Sequence, residues 1–462
     1  MDSPKIGLLL LYLELYDKSM PQIRGEVEKF ADTIRNEFIK RNVSVVLSPV
    51  CRIKPEFDEA VKNFEAEGVD IIVTLHLAYS PSLESYEALV STDLPVVVLN
   101  TTPSYAFDNT TPEAEIMFNH GIHGVQDLCN LLKRNHKEYH IETGHWLKSD
   151  VIDRVVSWAR AAKMASKMKT SRIGILGMPF KGMGDFAVPF DELKKNIGIN
   201  TIEFDLDDGR ALAESISEKE ILEEMEADRK RFITAGINEG THYKSVRAGL
   251  ALRKWIDQSD LDGFTVNFLS IRKDSPINVM PFLEIEKQMA RGIGYAGEGD
   301  VLTAALSAAL ASGFEETSFT EMFCPDWKSN TIFLSHMGEM NISLTSSKPE
   351  LIEKDFPYTD ADNPAVASGL FKPGRAAIVN LAPAPDGGYA LIIAKGEMID
   401  ISGEDMLKNS IHGWFRPDSG IEDFLTEFSM AGGTHHSVLC YTTEADIIKK
   451  FGKLMGWDTV LI

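Results

Sequence analysis

The sequence predicts an α/β fold built from two tandem doubly wound parallel-sheet domains, followed by a mostly antiparallel, barrel-like β domain. Three observations carry this. Short β-rich runs alternate with helix-like segments in the first third of the chain, the alternation restarts once after a long helical stretch at 149–168, and from Glu321 onward strands follow one another through turn-rich connections. The chain has 462 residues, which at ~100–200 residues per domain calls for several domains.

In the first cycle the runs 5–13 (KIGLLLLYL), 43–48 (NVSVVL), 69–75 (VDIIVTL) and 95–99 (PVVVL) read as buried strands, separated by helix-like 20–41 and 56–67. The second cycle has strand-like 172–177, 200–204 and 262–267, with helices around 208–235 and 240–257. The third region has strand-like 330–335, 374–382, 388–396 and 436–441, and the stretch 345–373, rich in Ser, Pro, Asp and Asn, reads as a long loop. The expected domains are 1–170 (flavodoxin-like α/β), 171–320 (central α/β) and 321–462 (β-rich).

Hydrophobic residues make up 44% and charged residues 25%, as in an ordinary globular protein. The formal charge of −22 repels phosphate backbones and anionic lipid, so neither nucleic acid nor a membrane surface is an expected partner. The apolar run at 6–13 is broken by Glu14 and lacks a cleavage-like ending, and no stretch reaches the ~18 apolar residues of a bilayer span. Cys51, Cys129, Cys324 and Cys440 are widely spaced without a CxxC pair, which points to a reducing compartment, the cytoplasm, and away from disulfides or a zinc ribbon.

The segment 294–314, GYAGEGDVLTAALSAALASGF, is the most informative. Asp300 can cap a helix in which Leu302, Leu306 and Leu310 recur every four residues, and Gly313 can end it. Glu298 precedes that helix between Gly297 and Gly299, whose freedom lets the backbone approach a ligand; a solvated loop glutamate is the plainer alternative. Glu321 lies between Phe319 and Phe323, where a strand would put both rings and the carboxylate on one face. His336 ends the apolar strand IFLSHMGEM, a place where histidine is commonly structural. His435 and His436 enter a strand after a Gly-Gly turn, and strand alternation would send them to opposite faces, so only one of the two can readily serve a given site. Two carboxylates and two imidazoles make a mixed O/N set suited to Mn²⁺, Mg²⁺ or Co²⁺, without the thiolates of structural zinc. The stretch GMPFKGMGDF fits neither GxGxxG nor GxxxxGK[ST], so it reads as an active-site loop, with Lys181 or Met183 facing substrate, more than as a nucleotide loop.

At these residues the sequence resembles the L-arabinose isomerase family, within the group that includes L-fucose isomerase. GYAGEGDVLTAAL matches the family's most characteristic segment, and the order Glu298, Glu321, His336, His436 reproduces its two-Glu, two-His metal site. FNHGIHGVQDL and TGHW resemble its substrate-side histidine region, which places His123 at a substrate-contacting position. LLLLYLELYDKSM stands where the family has Gly-Ser-Gln-His-Leu-Tyr, Met322 replaces an acidic residue, and GEMNISL lacks the usual Cys-Pro.

The resemblance implies interconversion of an unphosphorylated aldose and ketose through an enediol. It makes Glu298 and Glu321 the acid/base pair and places a divalent cation (Mn²⁺, or Co²⁺/Mg²⁺) on Glu298, Glu321, His336 and His436. It also implies a homo-oligomer, trimer or hexamer, in which His123 reaches a neighbouring subunit's site. A non-catalytic sugar-binding protein of the same fold, or a metal-dependent epimerase, would share much of this pattern.

Overall fold

The computed structural model describes residues 3–401 and 403–462. The first two residues of the expected N-terminal domain and Ser402 of the C-terminal one lie outside them. The chain divides into two compact units, one of residues up to 166 and one of 167–462.

The N-terminal unit is built on β1 (Lys5–Leu11), β2 (Ser44–Cys51), β3 (Ile71–His76), β4 (Val96–Asn100) and β5 (His140–Thr143), paired in the order β2-β1-β3-β4-β5. Every pairing is parallel, and the order is the flavodoxin-like one. Strands β1 and β3 are buried on both faces, which explains their near-continuous Leu, Ile and Val. Gly7 lets β1 lie against Phe64, whose ring atoms would come within 2.7 Å of an added Cβ. Strand β5 carries too few apolar residues to stand out by pattern.

In the second unit a four-stranded parallel sheet comes first: β6 (Arg172–Leu176), β7 (Asn200–Glu203), β8 (Gly263–Val266) and β9 (Gly294–Gly297), in the order β7-β6-β8-β9. The predicted helices appear as Leu206–Glu214, Glu218–Arg231 and Glu239–Gln258. Strand β9 has no counterpart among the strand-like runs of the sequence, because its two glycines and alanine carry little β propensity; Gly294 lets a helix approach. An added Cβ on Gly294 would sit 2.4 Å from the Ala308 backbone nitrogen. The helix, Val301–Gly313, is buried at every position from Val301 to Ala311, and Asp300 caps it by accepting the Thr303 N–H at 2.8 Å. A helix apolar all round belongs in the core.

The same unit continues into a mostly antiparallel sheet: β10 (Thr317–Asp326), β11 (Thr331–Ser335), β12 (Glu350–Glu353), β13 (Ala365–Leu370), β14 (Gly374–Pro383), β15 (Tyr389–Met398), β16 (Ile411–Pro417), β17 (His436–Cys440) and β18 (Asp458–Leu461). Strands β16, β11, β10, β17, β14 and β15 pair antiparallel in that sequence, and β15 pairs back to β16, which closes a ring of six. The stretch 345–373 is more ordered than its composition implies, since β12 and β13 form within it and extend the ring by pairing with one another and with β16. Helices Ile421–Met430 and Ala445–Leu454 also interrupt this region. Among the described residues, no helix is long and apolar enough to cross a membrane.

Candidate metal centre

Sheet register builds the centre of the site. Glu321 on β10 stands directly opposite His436 on β17, and on its other side opposite Ser335, the last residue of β11 before His336. Cross-strand neighbours of this kind have Cβ atoms ~5 Å apart, so the ladder alone brings one carboxylate between two imidazoles. His436 Nε2 lies 3.0 Å and His336 Nε2 3.4 Å from Glu321 Oε1. Two residues before Glu321, and so on the same face, the buried Phe319 ring meets the His336 and His436 rings edge-on at 4.9 and 5.1 Å. Phe323 does not join them: the register slips between Met322 and Cys324, and the ring is 50% exposed.

Glu298 arrives from the parallel sheet. Its backbone has φ 63°, a left-handed conformation rare for a side chain of this size, followed by Gly299 at φ 88°. The turn is clamped on three sides. The Glu298 N–H donates to Val266 O at 2.9 Å, the Phe180 N–H donates to Glu298 O at 2.8 Å, and the Gly299 N–H donates to Thr265 Oγ1 at 2.9 Å. Gly297 is glycine for a steric reason, because an added Cβ would lie 2.9 Å from His336 Cε1. Thus held, Glu298 Oε2 is 3.7 Å from His436 Nε2 and 3.9 Å from His435 Nε2.

His435 lies on the same side as its neighbour, contrary to the expectation from strand alternation. It precedes β17, in a bend, so the two-residue period does not govern it. One donor atom from each of Glu298, Glu321, His435 and His436 falls within 4.8 Å of the others, with His336 adjoining through Glu321.

Each imidazole is oriented by a carboxylate on its far nitrogen. His436 Nδ1 donates to Asp300 Oδ2 at 2.9 Å, His336 Nδ1 to Glu339 Oε2 at 2.5 Å, and His435 Nδ1 to Asp185 Oδ2 at 2.6 Å. Glu339 is fixed in turn by the Tyr295 hydroxyl and the Gly338 N–H, both at 2.9 Å. Carboxylate–histidine pairs of this form set the ring so that Nε2 points inward, as metal-ligating histidines require. Two of the three carboxylates lie close in the chain to predicted site residues: Asp300 is two residues from Glu298, and Glu339 three from His336. Asp185 and Phe186, which stacks on His436 at 4.8 Å, come from GMPFKGMGDF, so that segment reaches the site through these residues, while Lys181 is exposed.

The field of this cluster is strongly negative. Burial would raise the Glu321 carboxyl, but the close approach of the His336 and His436 rings holds it well below the ordinary range. Burial likewise opposes charge on His336, yet the attraction of Glu339 and the contact with Glu321 push it up to about 10. Contact with Glu298, together with Asp185 and against burial, pushes His435 up to about 9. A site that holds protons this tightly demands positive charge. Glu298 Oε2 and His436 Nε2 are buried without a hydrogen bond, and an orphaned oxygen and an orphaned imidazole nitrogen aimed at one space fit a divalent cation of intermediate hardness.

His123 belongs to the N-terminal unit. It is exposed at the start of helix Ile122–Arg134, and its ring meets that of His120 edge-on at 5.8 Å. His120 Nε2 in turn lies 2.9 Å from the Tyr16 hydroxyl.

Comparison with known proteins bears directly on this arrangement. The family models for the L-arabinose isomerase N-terminal, central and C-terminal domains match residues 11–170, 192–313 and 316–458. An L-arabinose isomerase of Shouchella clausii is 23% identical over 97% of this chain and 92% of its own length. One of Herpetosiphon aurantiacus is 24% identical over 91% of this chain and 86% of its own. The periplasmic binding protein component of an arabinose ABC transporter from Shewanella sp. ANA-3 is 12% identical over 67% of this chain and 84% of its own, with a TM-score of 0.16, a likeness that carries no argument. Three domain models of a single family follow one another in order and take in β2 through β5 and β7 through β17, so the chain belongs to the L-arabinose isomerase family, a family of aldose–ketose isomerases.

Proposed function

We propose that this protein is a metal-dependent isomerase of an unphosphorylated sugar, in which Glu298, Glu321, His336 and His436 hold the cation and Glu298 and Glu321 move the proton. The observation that carries the reading is the convergence of Glu298 Oε2 and His436 Nε2, both buried and without hydrogen bonds, beside the Glu321 carboxylate. Oxygen and imidazole donors without a thiolate suit Mn²⁺, with Co²⁺ or Mg²⁺ as substitutes. A bound cation supplies Lewis-acid polarisation of the sugar's carbonyl and hydroxyl oxygens, which lowers the cost of removing the C2 proton.

The chain's own residues do the rest. One glutamate takes the C2 proton and returns it to C1, and over the same cycle the other passes the proton of the C2 hydroxyl to the carbonyl oxygen, so that an enediol lies between aldose and ketose and no proton is gained or lost. Proton transfer by a positioned carboxylate contributes ~10²–10⁴-fold. Asp300 and Glu339 keep the His436 and His336 rings in place through the cycle. His435, with its side chain 39% exposed at the rim, is placed to hydrogen-bond a sugar hydroxyl. Five carboxylates, Asp185, Glu298, Asp300, Glu321 and Glu339, surround the imidazoles and would repel a phosphorylated sugar.

The same proposal makes the enzyme a cytoplasmic homo-oligomer, a trimer or hexamer, in which His123 serves a neighbouring subunit's substrate. Support comes from Tyr105 and Phe107, 70% and 53% exposed in the loop after β4 that leads to His120 and His123, and from four free cysteines.

The test is Glu298→Gln and Glu321→Gln, assayed with Mn²⁺ against a panel of pentoses, hexoses and deoxy sugars by colorimetric detection of ketose. Each variant should fold and lose ketose formation. Wild-type turnover in either removes the acid/base pair. A wild-type protein that binds Mn²⁺ yet converts no sugar on the panel removes the isomerase reading.

A further inference from the structure

A second cavity lies in the same unit: Gly177 and Met178, from the loop whose Phe180 N–H bonds Glu298 O, line it, and none of the metal-centre residues does. It encloses about 340 Å³ at the carboxyl ends of β6 and β7, within the ~300–1,000 Å³ range of small-molecule sites. The order β7-β6-β8-β9 places it at a topological switch point: the chain leaves β6 for β7 on one side and crosses to β8 on the other, so the following loops diverge and open a crevice. Gly177 follows β6 at φ 87°, where an added Cβ would meet Ser270 Oγ at 2.2 Å. The polypeptide therefore turns away from the strand end and leaves the crevice open.

The lining selects a ligand chemistry. Phe204, Leu206, Pro276 and Ile277 supply an apolar wall, and the Phe204 ring is held edge-on against Trp255 at 5.0 Å. Glu203, exposed at the end of β7, is the one carboxylate in a lining that contains no lysine or arginine. A carboxylate is an acceptor for two hydroxyl donors, which matches a vicinal diol. Phosphate is disfavoured, because helix Leu206–Glu214 starts here with its own cap, Asp205, and with Asp207 and Asp208 in its first turn. Helix Phe190–Asn196, which follows the Gly177 loop, starts with Asp191 and Glu192. The helix termini that would ordinarily favour an anion are thus already neutralised by the chain's own acids.

We infer that this crevice binds a ribonucleoside, with Glu203 accepting from the ribose 2′- and 3′-hydroxyls and the base lying on the Phe204 and Leu206 wall, and that it binds the nucleoside in preference to the nucleotide. The site is separate from the isomerase reaction and does not depend on it.

The experiment is calorimetric titration of the full-length, Mn²⁺-loaded protein with adenosine, 2′-deoxyadenosine, AMP and free D-ribose. Adenosine should saturate one site, with 2′-deoxyadenosine and AMP each about tenfold weaker and ribose weaker still. Glu203→Gln, at an exposed position, should weaken adenosine about tenfold, and Leu206→Arg should abolish binding by filling the crevice. His436→Ala, which disables the metal centre, should leave adenosine binding within twofold, so that failure here and failure of the isomerase reading are told apart. Absence of saturation up to millimolar adenosine, AMP binding tighter than adenosine, ribose binding as well as adenosine, or indifference to Glu203→Gln would each overturn the inference.

Discussion

Asp300 holds two structures at once: one carboxylate oxygen accepts the Thr303 N–H at 2.8 Å and caps the central helix, and the other accepts His436 Nδ1–H at 2.9 Å. A single buried side chain therefore fixes the start of the helix that follows Glu298 and the ring of an imidazole 136 positions away. The two roles are separable by mutation. Asp300→Ser retains a good helix cap but is too short to serve the imidazole. Mn²⁺ affinity should fall ~10–100-fold, the usual cost of losing a partner behind a ligating histidine, while the thermal midpoint of the metal-free protein stays close to wild type. Unchanged Mn²⁺ affinity by calorimetry would show that Asp300 acts as a cap only.

Gly297→Ala tests the close approach of the Gly297 backbone to the His336 ring. The new methyl would lie 2.9 Å from the imidazole Cε1, and a ring locked by Glu339 cannot swing away without breaking that bond. The expected result is a folded protein with at least tenfold weaker Mn²⁺ binding and lower kcat, read by titration and steady-state assay. A variant with wild-type affinity would mean that the ring has room to move.

Removing the cation should destabilise the second unit. A ligand that binds only the folded state stabilises it by RT ln(1 + [L]/Kd), about 2.7 kcal/mol at a hundredfold excess over Kd. Chelation should therefore lower the midpoint of thermal unfolding, and added Mn²⁺ should restore it in wild type. In His436→Ala the response to Mn²⁺ should be lost or much reduced. An equal shift in both proteins would place the cation elsewhere.

The N-terminal unit carries its own pH dependence at His76. Burial forces this histidine's pKa down to about 3, against the pull of Asp127, and neither ring nitrogen has a hydrogen-bond partner. An unfolded histidine titrates near ~6.5, so between these values the unfolded chain holds a proton that the folded one does not. The contribution is intact above pH 6.5 and falls as the pH drops toward 3, with a loss of about 2 kcal/mol by pH 5. Urea unfolding at pH 7 and pH 5 should show a smaller acid destabilisation in His76→Asn than in wild type. Identical losses would assign the dependence to other groups.

Where the controlling interactions are local, the sequence was legible. The β1, β3 and β4 runs, the Asp300 cap and the all-apolar helix behind it follow from neighbours within a few positions, and GYAGEGDVLTAAL carried the family. Where they are distant, it was not. Strand β9 did not stand out because Gly294 answers to the Ala308 backbone and Gly297 to the His336 ring, both far along the chain. The 345–373 region looked like coil because β12 and β13 are specified by pairing rather than by composition. Phe323 left the face of Glu321 because a bulge, set by the fit of β10 on β11, shifts the register there.

The sequence by itself determined which chemical groups are present, in what order, and on what kinds of element, because hydrophobic periodicity, capping and glycine placement act through adjacent residues. Only the tertiary structure decided that His435 turns in beside His436, that Asp185, Asp300 and Glu339 each hold one imidazole, and that Glu203 faces an apolar crevice. Those outcomes depend on strand register and on loop conformations that residues far apart in the chain impose on one another.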